Sequence, residues 1–241
     1  MTQQIKPGGL AAVLAHPDDE SFGCAGALAL AHRAGETTRL LVATRGEAGT
    51  PDGVPDPDFG GTREAELIAA ARIIGLDEVT ILGGFPDGGV ADQPFDALVD
   101  EIAAWLEEHR PTAVITFGPH GVTGHPDHIA VGSATRWAVE RLAESGIAPN
   151  SVYVISPIFD PTRTRYDLSP EEQVATHRID ITPVLDVKLA ALEAHASQTD
   201  TAEEIAALRA AIANGDTVYE GYHRVRPIVP QPHPKFDESL L

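Results

Sequence analysis

The sequence predicts an α/β fold in which helices cover both faces of a mostly parallel central sheet. Three observations predict it. Short apolar runs alternate with longer alanine- and leucine-rich stretches along most of the chain, the rhythm of βαβ units that lay successive strands side by side. The runs are continuous rather than alternating, as in Leu10-Ala11-Ala12-Val13-Leu14, so these strands should be buried on both faces. Two of them lead into clusters of histidine and aspartate, His16-Pro17-Asp18-Asp19-Glu20 and His125-Pro126-Asp127-His128, and an open parallel sheet binds its ligands beyond the carboxyl ends of its strands.

The elements follow in order. Residues 10–15 form the first strand, and residues 22–34 a helix that ends near Gly35. A second strand covers 38–44. Residues 45–61, rich in glycine and proline, make a loop of a length that is more often functional than idle. Thr62 caps a helix that runs to Gly75. The unit then repeats, with a strand at 79–82, a loop at 83–93 and a helix at 94–109. The fourth strand covers 113–117, the helix after its loop reaches Glu144 before Gly146 stops it, and the fifth strand covers 151–156.

Beyond that point the pattern loosens. Residues 157–175, with Pro157, Pro161 and Pro170, read as an excursion over the surface. A strand at 176–181, helices at 183–197 and 202–213, and a segment at 219–228 pairing at a sheet edge complete the regular structure. The tail from Pro230 reads as poorly ordered. The expectation is a single domain over 1–241, with a core of about 8–156, a less regular part at 157–228 and a tail at 229–241. The architecture expected is a Rossmann-like three-layer fold with a metal site at the C-terminal ends of the strands.

Composition narrows the partners. The formal charge of −19 and the absence of a Lys/Arg run argue against nucleic acid and against an anionic membrane surface. No apolar run approaches the roughly 18 residues of a spanning helix, and no leader pattern precedes the first strand, so a cytoplasmic protein is expected. The only cysteine, Cys24, excludes an internal disulfide and a cysteine-built metal site and reads as a small core residue. His32, His109 and His233 read as solvated. A metal, if bound, must be held by nitrogen and oxygen.

The two clusters fit that requirement. His16 and Asp19 are three residues apart and can face one point across a helix start, which leaves Asp18 for another role. Either cluster alone fits helix capping as well; two at equivalent strand ends do not. Three ligands such as His16, Asp19 and His128 leave a tetrahedral position open, the mark of a catalytic zinc site rather than a structural one. A dinucleotide-binding oxidoreductase would need G-x-G-x-x-G after the first strand, and a serine hydrolase a G-x-S-x-G elbow; the chain has neither. A non-catalytic metal- or carbohydrate-binding module is the alternative from another class.

The AHPDDE stretch, Arg45-Gly46-Glu47, Thr62-Arg63-Glu64-Ala65-Glu66, the FPDG loop at 85–88 and GHPDH at 124–128 together resemble the PIG-L/LmbE family of zinc-dependent N-acetylglucosaminyl deacetylases. The resemblance extends from Leu10 to the helix ending in His195-Ala196-Ser197-Gln198. It implies that His16, Asp19 and His128 bind Zn2+ or another divalent metal, with Asp18 as general base. It further implies that a protonated His125 faces the developing oxyanion, that Asp127 orients or charges His125, and that Arg63 and Asp87 hold sugar hydroxyls. The implied reaction is hydrolysis of the acetamide of a small N-acetylglucosamine-containing molecule, N-acetylglucosaminyl malate of bacillithiol biosynthesis among them. Arg45 and Arg63 are the cations available to the malate carboxylates, although Arg45 can equally pair with Glu47 or Glu64. Another N-acetylated sugar or a thiol-conjugate amide would also serve the site. A homo-oligomer is implied by the habit of the family.

Overall fold

The fold is that of a computed structural model, described over residues 7–49, 56–157, 167–199, 201–228 and 238–241. A seven-stranded sheet runs through it in the order β3-β2-β1-β4-β5-β7-β6. β1 (Leu10–Leu14), β2 (Thr38–Val42), β3 (Glu78–Ile81), β4 (Ala113–Thr116) and β5 (Ser151–Ile155) are parallel, with Leu10 beside Thr38 on one side and Ala113 on the other. β7 (Tyr219–Arg226) lies antiparallel between β5 and β6 (His177–Asp180). Helices cover both faces, which explains the continuous apolar runs: every residue of β1, β2 and β4 is buried. β3, at the edge, is only half-buried throughout.

The strand order reverses between β1 and β4. From β1 the chain steps outward through β2 to β3, then returns to place β4 on the other side of β1. The loops leaving these two strands therefore diverge and open a crevice between them. Both histidine and aspartate clusters leave from this crevice. Hydrogen bonds from threonine hydroxyls tie its walls together: Thr116 donates to the Val13 carbonyl at 2.9 Å, and Thr44 to that of Ala15 at 3.1 Å.

Several elements differ from the sequence expectation, each for a local reason. The helix expected over 22–34 is two helices, α1 (Asp19–Gly23) and α2 (Ala25–Arg33), broken at Cys24. The groups exposed by the break are held by a buried ion pair: Lys188 donates to the carbonyls of Ser21 and Phe22, and Glu220 accepts from the amides of Gly26 and Ala27. α3 (Phe59–Ile74) starts before Thr62, which lies inside it instead of capping it. α4 (Phe95–His109) and α5 (Pro126–Glu144) agree closely with expectation.

The 157–175 excursion does not stay on the surface. Its described end forms the short α6 (Pro170–Gln173), and Glu172 is fully buried because it caps the loop after β4. The segment from Tyr219 is an inner strand, not an edge, and β6 takes the edge. α7 (Leu185–Ala194) and α8 (Thr201–Asn214) are the last α-helices among the described residues. Leu240 is buried and its carbonyl accepts from the Tyr153 hydroxyl, so the end of the tail packs on the sheet. His109 is not solvated: it lies against Trp105 and 3.1 Å from Glu78. Cys24 is buried and His32 exposed, as expected. The expectations for residues 50–55 of the long loop, for 158–166 including Pro161, and for 229–237 including Pro230 and His233 lie outside the described residues. No described helix is long and apolar enough to cross a membrane.

Candidate metal centre

The turn after β1 is built around Asp19. Its Oδ2 accepts the amides of Ala15 and His16, at 3.2 and 2.8 Å, which folds the chain back and points His16 and Asp19 the same way. Asp18 takes φ 106, a left-handed conformation uncommon for a residue with a side chain. Across the crevice, Pro126 opens α5 with its φ already set for a helix, and His125 caps the helix by accepting the Asp127 amide on Nδ1 at 3.2 Å. One turn on, His128 reaches back over the crevice, its ring stacked on Phe117 at 4.1 Å.

The hydrogen bonds fix both tautomers. His16 Nε2 lies 3.0 Å from Asp87 Oδ1 and 3.2 Å from Asp127 Oδ2, so it carries a proton and leaves Nδ1 as a lone pair. His128 Nδ1 lies 3.0 Å from the Gly121 carbonyl, which can only accept, so its lone pair is on Nε2. Those two lone-pair nitrogens face each other at 3.2 Å. The Asp19 carboxylate closes the triangle, 3.3 Å from His128 Nε2 and 3.7 Å from His16 Nδ1. Three acceptors this close repel one another unless a cation lies among them. The donor set, two imidazole nitrogens and a carboxylate, suits a divalent transition ion such as zinc. Two further groupings in the same crevice, His16 with His125 and His128, and His16 with Asp87 and Asp127, also bring their ligand atoms within 4.8 Å of one another.

Without a metal, protons meet part of that need. Burial alone would lower His16, but the hydrogen bonds to Asp127 and Asp87 and the charge of Asp19 outweigh it and raise its pKa to about 10. His128 is raised against its burial by Asp19. Asp19 goes the other way: burial opposes its charge, but the two imidazoles hold its carboxyl below the usual carboxylate range. Asp18 is pushed up to about 8 by burial and then by the Asp19 charge, with Arg63 offsetting part of the rise.

The remaining residues expected at the site are present, and some have different partners. Arg63 is buried and turned inward, donating to Asp18 Oδ2 at 2.9 Å, to the Gly46 carbonyl at 3.2 Å and to the Pro17 carbonyl. Asp87, expected at sugar hydroxyls, has one oxygen on His16 and the other on the Ala48 amide at 3.0 Å. The Asp127 carboxylate was expected on His125, but its bonds run to His16 and to the amides of Gly88 and Val90. This follows from its place in the first turn of α5, where the amide serves His125 while the side chain projects into the loop after β3. His125, half-buried with its ring 4.7 Å from that of His16, is lowered by burial and by the neighbouring His16 and His128, which disfavours the protonated form expected for it. Arg45 pairs with Glu64 at 2.7 Å.

Sequence reasoning gave no role to Glu20, His195 or Glu172. Glu20 and His195, both fully buried, meet at 2.7 Å. Glu172 accepts the amides of His120 and Val122 and so fixes the loop whose Gly121 carbonyl orients His128. Glu20 is the last letter of the first cluster and His195 belongs to the helix end singled out by resemblance; no comparable signal marks Glu172.

The comparison with protein families places this crevice. The family model described as PIG-L, GlcNAc-PI de-N-acetylase, matches residues 11–139, which hold both clusters and the loops between them. The chain belongs to the PIG-L family. A 1D-myo-inositol 2-acetamido-2-deoxy-alpha-D-glucopyranoside deacetylase of Mycobacteroides abscessus is 33% identical to this PIG-L chain over 233 residues, covering 80% of it and 82% of the relative. A probable N-acetyl-alpha-D-glucosaminyl L-malate deacetylase 2 of Bacillus subtilis is 33% identical over 195 residues, covering 78% of the chain and 82% of the relative. Among solved structures, the conserved protein TT1542 of Thermus thermophilus superposes with a TM-score of 0.69 at 28% identity, over 94% of this chain and 99% of that one. The PIG-L assignment thus spans the β1 and β4 ends on which the acceptor triangle is built.

Proposed function

We propose that this PIG-L chain is a zinc-dependent deacetylase that hydrolyses the acetamide of N-acetylglucosamine joined to a small polar aglycone. The observation that carries the reading is the trio of His16 Nδ1, His128 Nε2 and the Asp19 carboxylate, mutually repulsive without a cation, with an independent carboxylate, Asp18, beside it. A divalent ion held by these three would supply a Lewis acid that acidifies water and polarises a carbonyl. Asp18 acts as the base: it takes a proton from the water whose oxygen attacks the acetamide carbon. His125 donates to the developing oxyanion from its side of the crevice, a kind of stabilisation worth about 3 kcal/mol per donor. When the C–N bond breaks, Asp18 returns its proton to the amine, and acetate and free glucosamine conjugate leave. Arg63 keeps the Asp18 carboxylate aimed, and Asp87 and Asp127 hold the His16 ring in its ligating tautomer, as carboxylates behind ligating histidines do.

For the aglycone, a neutral polyol such as inositol is favoured over malate. The two arginines expected to meet malate carboxylates are engaged, Arg45 with Glu64 and Arg63 with Asp18, which leaves neither cation free for a dianion. The test is amine release from N-acetylglucosaminyl inositol, N-acetylglucosaminyl malate, free N-acetylglucosamine and its disaccharide, with zinc-loaded protein, metal-stripped protein and Asp18→Asn. Metal-dependent release fastest from the inositol conjugate is expected. Equal or faster release from the malate conjugate refutes the aglycone assignment, and no release from any of the four refutes the deacetylase.

A further inference from the structure

We propose that Glu20 and His195 are a positioning pair that holds the backbone of Asp18 in the conformation that aims its carboxylate. Asp18 stands in the left-handed region at φ 106 and ψ −29, so the turn does not keep it there by its own preference. Its carbonyl accepts the amides of Ser21 and Phe22 at 2.8 and 3.1 Å where α1 begins, and side chains clamp it at two further points. Arg63 donates to its Oδ2 at 2.9 Å, and its backbone amide donates to Glu20 Oε2 at 3.1 Å. The other oxygen of Glu20 accepts from His195 Nε2 at 2.7 Å and from the Ser21 hydroxyl at 2.6 Å. With Oε1 held by two donors, the Glu20 carboxylate cannot rotate, and Oε2 stays under the Asp18 amide.

His195 stands just beyond the end of α7, and its own amide is bonded to the Leu192 carbonyl at 3.2 Å, so the ring is fixed from its backbone outward. It is fully buried, and its Nδ1 has no hydrogen-bond partner among the described residues. Such a ring is poor value for stability, since a well-packed apolar pair of the same volume does as well as a buried ion pair. Its one good bond is the one that leads to Asp18. His195 touches neither the acceptor triangle nor the reacting atoms; its hydrogen-bonded route to Asp18 runs through Glu20.

The assignment rests on the deacetylase reading for its turnover measurement and not for its structural one. Zinc-loaded wild type, His195→Ala, His195→Gln and His195→Asn are compared for kcat, KM, bound zinc and the amide resonance of Asp18. Glutamine can present its side-chain nitrogen where Nε2 lies; asparagine reaches only as far as Nδ1. Expected are a loss of kcat of about 10–100-fold in the alanine and asparagine variants, with KM and zinc content held, and recovery of most of that loss with glutamine. The Asp18 amide should shift upfield in the first two and return in the third. Where alanine fails to fold, the contrast between glutamine and asparagine decides alone. Wild-type kcat in the asparagine variant, or kcat and zinc content falling together in all three, overturns the proposal. An Asp18 amide that shifts as expected in a protein that deacetylates no sugar supports the positioning pair and refutes the deacetylase reading instead.

Discussion

Lys188→Met should destabilise the fold through the junction of α1 and α2. The ammonium donates to the carbonyls of Ser21 and Phe22, at 3.0 and 2.7 Å, and to Glu220 at 2.9 Å, and both side chains of the pair are almost wholly buried. Methionine fills the space and removes the charge, which strands the Glu220 carboxylate. Removing one partner of a buried pair costs about 3–5 kcal/mol. Glu220 keeps donors from Gly26, Ala27 and the Tyr222 hydroxyl, so the lower figure of about 3 kcal/mol applies. For a chain of this size that is a fall in Tm of roughly 6–12 °C, at about 2–4 °C per kcal/mol. Thermal unfolding of metal-free protein measures it, because bound metal would add its own contribution. The double variant Lys188→Met/Glu220→Gln leaves no stranded charge and should regain about half of the loss. A Lys188→Met protein that melts within about 2 °C of wild type, or a double variant whose loss is the sum of the single losses, refutes the reasoning.

Asp18→Asn retains an oxygen for Arg63 and cannot take a proton; kcat should fall by about 10²–10⁴-fold with zinc content unchanged, whereas His16→Ala should lose the metal, both measured by turnover and metal analysis. Metal loading should release protons. His16 of the metal-free protein has a pKa near 10 and so is protonated at pH 8, and ligation requires its Nδ1 free. Titration calorimetry in buffers of different ionisation enthalpy should therefore give different apparent heats, and identical heats contradict the raised pKa of His16 in the metal-free protein. The same shift sets a pH dependence for the stripped protein. A histidine raised from 6.5 to about 10 stabilises the fold fully below its unfolded value, and that contribution is lost as pH rises through the folded one; Tm should fall between these limits. Gly132→Ala would set a Cβ 2.5 Å from the Phe117 carbonyl, a backbone atom that cannot step aside. A loss of about 1–3 kcal/mol is expected in chemical unfolding, with weaker zinc binding because the displaced segment leads to Gly121 and His128.

What the sequence revealed was decided over short distances or by burial. β1 and β4 announce themselves because a strand covered on both faces has no polar side to interrupt it. His16 and Asp19, and likewise His125 and His128, belong to single turns, so each cluster is visible as a cluster. That the two meet follows from topology, since the strands they leave flank the reversal of strand order. The break at Cys24 was hidden for the opposite reason: alanine and leucine favour a continuous helix, and the pair that stabilises the interruption comes from α7 and β7. The partners of His16 were assigned elsewhere because Asp87 and Asp127 reach it from positions 71 and 111 residues away, and the resemblance implied sugar hydroxyls for one and His125 for the other.

The acidic composition makes the same point from the other side. A formal charge of −19 was read as a property of the surface and used to exclude polyanionic partners. Yet Asp18, Asp19, Glu20, Asp127, Glu172 and Glu220 are all buried. Each has a definite cation, imidazole or amide to hold: Asp18 the Arg63 guanidinium, Asp19 the His128 imidazole, Asp127 the His16 imidazole, Glu20 the Asp18 turn, Glu172 the loop behind His128, and Glu220 the start of α2. Charge of this kind does not repel ligands at a distance; it sets the protonation and orientation of a few nitrogens. That is also why its removal is expected to act on turnover and metal binding more specifically than the loss of a surface carboxylate, whose exposed ion pair contributes about 1 kcal/mol or less.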